Sequence, residues 1–283
     1  MKKTTTILCL GIALCMLGCS DDDDQVTTTS TVPFSLTASL SPRSSDAEDT
    51  GILQGNWDAN SQLAVIKTGS SGVPKSILTR KTDSSDTFTG NLSTLVKNEN
   101  EIAVFYPAAA ITANSSDTLT QTLNLSGQDG TLAGITNYDY LWAQCKAGMN
   151  ETTGSSACEM TSLVTIGKFQ FTVNGGSPLN NITRITITAT AGTLYSSAVM
   201  KLKNGEFSST QTGNITIKNK AGISGTTYIS FFPSEAQLHF TLVTTTGEVY
   251  EAATSTTIKL EKGKVYELSL IHISEPTRQE AIS

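Results

Sequence analysis

The chain has 283 residues, with 19 Lys and Arg against 25 Asp and Glu and a formal net charge of −6. No basic stripe is offered to phosphates, which argues against a nucleic-acid partner. Charged residues make up only 16%, Gly, Ser and Thr are frequent, and no segment sustains a helical spacing of apolar residues, so the chain reads as all-β.

Lys2 and Lys3 form a short basic start, followed by 11 apolar-rich residues from Ile7 to Leu17. A membrane span needs about 20 residues, so this stretch fits the apolar part of a secretion signal. Leu17-Gly18-Cys19 resembles a lipobox, with Met16 where leucine is usual. Residues 1–18 would then be removed and Cys19 acylated. At about 0.8 kcal/mol per buried CH₂, two or three chains make a durable anchor in outer-membrane lipid. An ordinary cleaved signal with an incidental cysteine is the other reading. Ser20 and Asp21, Asp22, Asp23 and Asp24 open a flexible acidic tether over residues 19–31. Four like charges cannot pack, so a solvated linker is one reading. The run also resembles the surface-export signal of Bacteroidetes lipoproteins, which implies display at the cell surface; a periplasm-facing anchor is the alternative.

Phe34, Leu36, Ala38 and Leu40 alternate with Ser35, Thr37 and Ser39, the pattern of a half-buried strand. Pro42 to Gly51 is loop-like. Leu63 to Ile66 and Ile102 to Tyr106 read as buried strands, the second stopped by Pro107. Leu119, Leu123 and Leu125 share one face of a third, and Tyr138 to Ala143 is aromatic and strand-like. Residues 146–160 read as a Gly, Ser and Thr loop. A second series starts near Ser162. It runs through Phe169, Phe171 and Val173 to the turn signal Asn174-Gly175-Gly176. Next come Ile185, Ile187 and Ala189, then Met200 and Leu202 before Asn204-Gly205, a hairpin signal. Ile215 and Ile217 follow, then Tyr228 to Phe232 ended by Pro233, then Leu238, Phe240 and Leu242, a turn at Thr246-Gly247, and a last strand from Val265. Two sets of about seven short strands suggest two β-sandwiches, over residues 32–160 and 161–267.

Leu268 to Arg278 resembles the translation of a transposase adapter used in sequencing libraries. Residues 268–283 are therefore expected to be an appended scar, outside fold reasoning; a natural tail is the alternative. Residues 19–267 alone hold 16 Lys and Arg against 23 Asp and Glu.

With Cys19 committed to lipid, Cys145 and Cys158 could pair outside the cytoplasm. Such a bridge stabilises by about 3 kcal/mol in the chain-entropy model. Two reduced, partly buried thiols are the equal alternative. His239 lies between inward-facing Leu238 and Phe240, so it reads as a solvated strand histidine rather than a catalytic base. Between residues 20 and 267, one histidine and two cysteines do not make a zinc site of usual ligands, and no cofactor is expected. Phosphate loops, dinucleotide fingerprints and Gly-x-Ser-x-Gly elbows are missing, so the chain does not read as an enzyme. Trp57, Tyr140 and Trp142 could stack on sugars, which would make a glycan-binding surface lipoprotein; core packing is their other use. Asp117-Thr118-Leu119 resembles the O-glycosylation sequon of Bacteroides proteins, marking Thr118.

Several segments together resemble the fimbrillin family of Bacteroidetes, in its fimbrillin-like, Mfa-type lipoprotein branch. They are Phe34 to Leu40 with Ser41-Pro42-Arg43, Trp57 to Val65, Phe105-Tyr106-Pro107, Tyr138 to Trp142, and Leu260 to Tyr266. Thr165 stands near a place where the family often has a histidine, and Ala64 replaces a usual glycine. The resemblance implies two tandem transthyretin-like Greek-key β-sandwich domains and a structural or adhesive role in fimbriae. It also implies that subunits join by donor-strand insertion, an extended segment of one filling an open sheet edge in the next. Other fimbrial subunits and a host or bacterial surface receptor are the implied partners. In shaft subunits an arginine-specific protease removes the first strand. Arg43 follows that strand in a polar loop, where nicking concentrates, and is the candidate processing site; an ordinary surface arginine is the alternative.

Overall fold

The computed structural model describes residues 30–43, 53, 55–69, 73–82, 86–112, 120–173 and 176–270. The structure is all-β. Its first half contains β1 (Thr31–Leu40), β2 (Gln62–Lys67), β3 (Ser76–Arg80), β4 (Thr87–Ser93), β5 (Glu101–Tyr106), β6 (Thr120–Asn124), the single-turn helix α1 (Leu132–Ile135), β7 (Leu141–Lys146), β8 (Gly148–Met149) and β9 (Gly154–Ser162). The second half contains β10 (Thr165–Phe171), β11 (Ile182–Gly192), β12 (Tyr195–Lys201), β13 (Phe207–Thr212), β14 (Ile215–Ile223), β15 (Thr227–Phe231), β16 (Ser234–Thr244), β17 (Val249–Ala253), β18 (Ile258–Leu260) and β19 (Val265–Leu270).

The first sheet runs β1-β4-β3-β2-β5-β7-β9, and β9 then pairs in parallel with β1, so the hydrogen-bonded circuit closes. Its two faces are parts of one sheet wrapped around a core of Phe34, Leu36, Leu63, Phe88, Val104 and their neighbours. Why β2 and β5 are continuous apolar runs is then clear. Leu63 and Val65, like Ile102 and Val104, point into this core, while Ala64, Ile66, Ala103 and Phe105 point outward into a second core shared with the C-terminal sheets. Strands buried on both faces lose the polar alternation of a half-buried strand.

In the second half, β14-β11-β16-β17 form one layer, with β18 also on β16. The opposing layer is made by β15-β10-β19 and β13-β12-β6. Phe240 of the first layer meets Phe169 and Phe171 of the second at centroid distances of 5.0 and 5.6 Å, within the range where aromatic pairs add to burial. In both halves the opening strand runs parallel to the closing one, β1 with β9 and β10 with β19.

Three sequence expectations change. Residues 146–160, read as a loop, include β8 and most of β9, the strand that closes the circuit. Its inward positions, level with β1, are Gly154, Ser156, Cys158 and Met160. Small side chains there leave almost no apolar alternation to read. The Leu123 strand, expected in the first sandwich, is β6, and it pairs with β12 from Thr120–Lys201 to Asn124–Ser197. The sheets are therefore not divided cleanly at residue 160. Finally, Leu268 to Leu270, assigned to the adapter-like tail, complete β19 opposite Phe169 to Phe171.

Candidate functional site

The first strand carries the site. β1 lies between two partners, antiparallel to β4 from Thr31–Ser93 to Thr37–Thr87 and parallel to β9 from Phe34–Gly154 to Leu40–Met160. Val32, Phe34, Leu36 and Ala38 point inward and are 8, 2, 0 and 0% exposed. Burying a side chain of the Val, Leu or Phe class contributes about 1.5–3 kcal/mol, so the strand is firmly seated.

Each inward position has a shaped receptor. Phe34 lies over Gly154, where a Cβ would stand 2.6 Å from the ring; only glycine leaves that space. At the other end, Trp57 Nε1 donates to the Ala38 carbonyl at 2.6 Å. The Trp57 ring packs edge-on against Phe88 at 5.0 Å and Tyr106 at 5.3 Å, in the same core as the fully buried Ala38 side chain.

Beyond the strand, Ser41 N–H donates to the Met160 carbonyl at 3.0 Å and the Ser41 hydroxyl to Glu159 Oε1 at 2.8 Å. Arg43 Nη2 then donates to Asp139 Oδ1 at 2.8 Å, with the two side chains 4 and 1% exposed. The Asp139 Oδ2 atom is buried and, among the described residues, accepts no hydrogen bond. Asp139 belongs to a small charged group at this end of the sheet. Burial raises the Asp58 carboxyl above its usual range, Arg80 opposes that shift, and Asp139 adds to it. Burial first, then the Asp139 and Asp58 carboxylates, push the Tyr106 phenol upward as well.

The placement of Arg43 departs from its reading as an exposed loop residue. Pro42 is exposed, but the guanidinium is drawn inward by a buried carboxylate. Asp139 was not singled out from the sequence as a functional residue. Its signal was present: a charged residue inside the aromatic run Tyr138 to Trp142 that is nonetheless buried needs a partner.

Cys145 and Cys158 are brought together. Leu141–Ser162 and Trp142–Thr161 on one side, and Gly148–Ser155 and Met149–Gly154 on the other, share one register. That register sets Cys145 opposite Cys158. Both thiols are free and half-buried, and they pack against the first core. The neighbouring Cys158 thiol draws the Cys145 thiol below its usual value, against the effect of burial and with help from the Ser156 hydroxyl, which donates to Cys145 Sγ at 3.2 Å.

Of the aromatic candidates for sugar stacking, two are buried and Trp142 is half-buried. Trp57 and Tyr140 are 3 and 5% exposed. Trp142 donates Nε1 to the Leu202 carbonyl at 2.9 Å, and Gly205 lies against its ring, where a Cβ would stand 2.6 Å away. His239 is partly exposed, with Nε2 3.8 Å from Glu251. Cys19, Ser20, Asp21 to Asp24 and Thr118 lie outside the described residues. Among the described residues no His, Cys, Asp and Glu cluster could hold a metal, and no helix is long and apolar enough to cross a membrane.

Three solved structures share the fold. A candidate cell adhesion protein from Bacteroides ovatus ATCC 8483 is 15% identical, with 89% of this chain and 100% of that one covered at a TM-score of 0.54. One from Bacteroides fragilis NCTC 9343 is 11% identical, with 90 and 100% covered at 0.53. Another from Bacteroides uniformis ATCC 8492 is 14% identical, with 87 and 98% covered at 0.50. No curated protein matches the chain in sequence. The model of the fimbrillin-like family matches residues 48–281. The chain belongs to the fimbrillin-like family.

Proposed function

We propose that this chain is a structural or adhesive fimbrial subunit that joins its neighbours by strand complementation. In this reading it consists of two tandem transthyretin-like sandwiches. Acyl chains on Cys19 hold it at the outer membrane, and Ser20 with the aspartate run directs it to the cell surface. Cleavage after Arg43 removes β1, and an extended segment of another subunit takes its place. The recurrence of an opening strand parallel to a closing strand in both halves supports two related domains. The cell adhesion descriptions of the three structural neighbours agree with an adhesive role.

One observation carries the proposal. β1 is paired on both edges and buried on one face, yet a single cut in the segment after Arg43 would detach it from the rest of the sheet. Its departure would leave β4 and β9 as facing open edges above an apolar trough, the arrangement that main-chain augmentation requires. The test compares wild type with Arg43→Ala, each exposed to an arginine-specific protease and then followed by size-exclusion chromatography and electron microscopy. Polymers from the cut wild type and none from the variant are expected. Absence of polymers from both would overturn the subunit reading, and polymers from both would remove Arg43 processing from it.

A further inference from the structure

Resting on that reading, we propose that Asp139 is a cation receptor at the end of the β1 slot, and that the segment replacing β1 must carry an Arg or Lys there. The occupant is an extended segment of a second subunit. Its pattern is apolar, aromatic, apolar and small at alternate positions, followed five residues later by the cation.

The pattern follows from the present occupant and its receptors. The trough takes Val32, Phe34, Leu36 and Ala38 in turn. An aromatic ring suits the second position because Gly154 leaves a flat floor beneath it. The fourth is filled by the methyl of Ala38, fully buried, and the Trp57 indole, packed against Phe88 and Tyr106, holds the backbone carbonyl there. These apolar contacts leave one question, since a two-residue slide along the slot would keep the same face inward. The charged end answers it. Asp139 is 1% exposed, one of its oxygens is taken by Arg43, and the other has no hydrogen-bond partner among the described residues.

Cleavage after Arg43 sends that guanidinium away with β1, while Asp139 stays in the body of the sheet next to β7. A buried carboxylate left without its cation is strongly unfavourable. Asp58 nearby raises that cost, because a like charge already presses on the same region. A replacement strand without a cation leaves Asp139 bare; one that is out of register places its cation elsewhere. Asp139 thereby reads both the chemistry and the register of the incoming segment, the use for which buried ionic groups are best attested.

The experiment uses the full chain with a sequence-specific protease site inserted directly after Arg43. The cut protein is incubated with fluorescent peptides spanning Thr31 to Arg43, and incorporation is followed by anisotropy and size-exclusion chromatography. Four peptides carry Arg, Lys, Met or Glu at the last position. The Arg and Lys peptides are expected to bind at least about 30-fold more tightly than the Met peptide, from the lower end of the cost of truncating a buried charge pair, and the Glu peptide is expected not to bind. In the Asp139→Asn chain the preference for Arg over Met should collapse. Equal binding of all four peptides to the wild-type body would overturn the receptor role while leaving strand replacement standing; the ammonium that cleavage creates at residue 44 would then be the group that neutralises Asp139. Failure of every peptide to enter would overturn strand replacement itself, and the receptor role with it. The peptide series on the unsubstituted body decides the matter even if Asp139→Asn does not fold.

Discussion

The buried pair makes a quantitative prediction about proteolysis. A protease that reads arginine must take the guanidinium into its own pocket, so Arg43 has to leave Asp139 before the bond after it can be cut. When opening is fast relative to cleavage, the rate follows the population of the open form. Removing one partner of a buried pair costs about 3–5 kcal/mol. Asp139→Asn leaves Arg43, now only 4% exposed, with no counter-charge at 2.8 Å, and the guanidinium gains by swinging into water. Taking the lower figure, about 3 kcal/mol at 1.36 kcal/mol per decade corresponds to cleavage faster by roughly 100-fold. The assay is limited proteolysis of the full chain with an arginine-specific enzyme, resolving fragments ending at Arg43 and at Arg80. Arg80 lies in β3 and donates to the Trp57 carbonyl at 2.7 Å, so its cleavage reports opening of the sheet. A rise at Arg43 with little change at Arg80 is expected. Rates at Arg43 within threefold of each other in wild type and variant would refute the idea that the pair shields this bond. Equal acceleration at both sites would show that Asp139 holds the whole sheet rather than the segment after β1.

Four further outcomes can be measured directly. Oxidised glutathione should close a Cys145–Cys158 disulfide, found as a single cross-linked pair in peptide maps, because one register sets the two residues opposite. Iodoacetamide should alkylate Cys145 at a rate that climbs at lower pH than that of an ordinary thiol, since its thiolate is favoured; a rate that climbs only in the ordinary thiol range would contradict that lowering. Gly154→Ala should lower stability by about 1–3 kcal/mol through overpacking, since the new Cβ would meet first the Met149 sulfur and then the Phe34 ring, and Phe34→Leu added to it should restore only the part due to the ring. Asp58→Asn should raise the unfolding midpoint at pH 7. The folded-state pKa of Asp58 is raised, so its ionised form weighs against folding above that pKa. The gain should therefore shrink as pH falls through the carboxylate range, where the wild-type side chain is neutral too.

What could be read from the sequence was what depends on neighbours along the chain. The alternation from Phe34 to Leu40 gave the face of β1 correctly, and Asn204-Gly205 joins β12 to β13 as a hairpin signal should. The apolar runs at Leu63 and Ile102 were legible as buried strands because two cores claim their two faces. What escaped depends on partners far away. Cys158 sits beside Ala38 in the sheet although 120 positions separate them, and no local pattern announces a strand whose inward residues are Gly, Ser and Cys. β6 went to the wrong half for the same reason, its partner being β12. The polar surroundings of Arg43 were legible, but Asp139, which withdraws its side chain from them, is 96 residues on.

The two halves share one connection rule, and that sharpens why the proposed replacement falls on the first strand and not on its counterpart. β10 stands in the second half as β1 does in the first, paired on both edges, antiparallel to β15 and parallel to the closing strand. Yet β10 is tied at both ends to strands that stay: only Leu163 and Val164, both buried, separate it from β9, and Thr172 and Val173 lead onward from Phe171 toward β11. Releasing it would take two cuts, one of them in a buried link. β1 needs one. Phe169 and Phe171 of β10 also join a cluster with Phe231 and Phe240, whereas the ring of Phe34 rests on a glycine. Equivalent topology thus carries unequal cost of removal. The arginine that follows β1 lies where a single cut would separate strand from body, and its buried carboxylate partner would stay with the body; under the proposed strand replacement, one ion pair would both hold the first strand in place and leave behind the group that selects its successor.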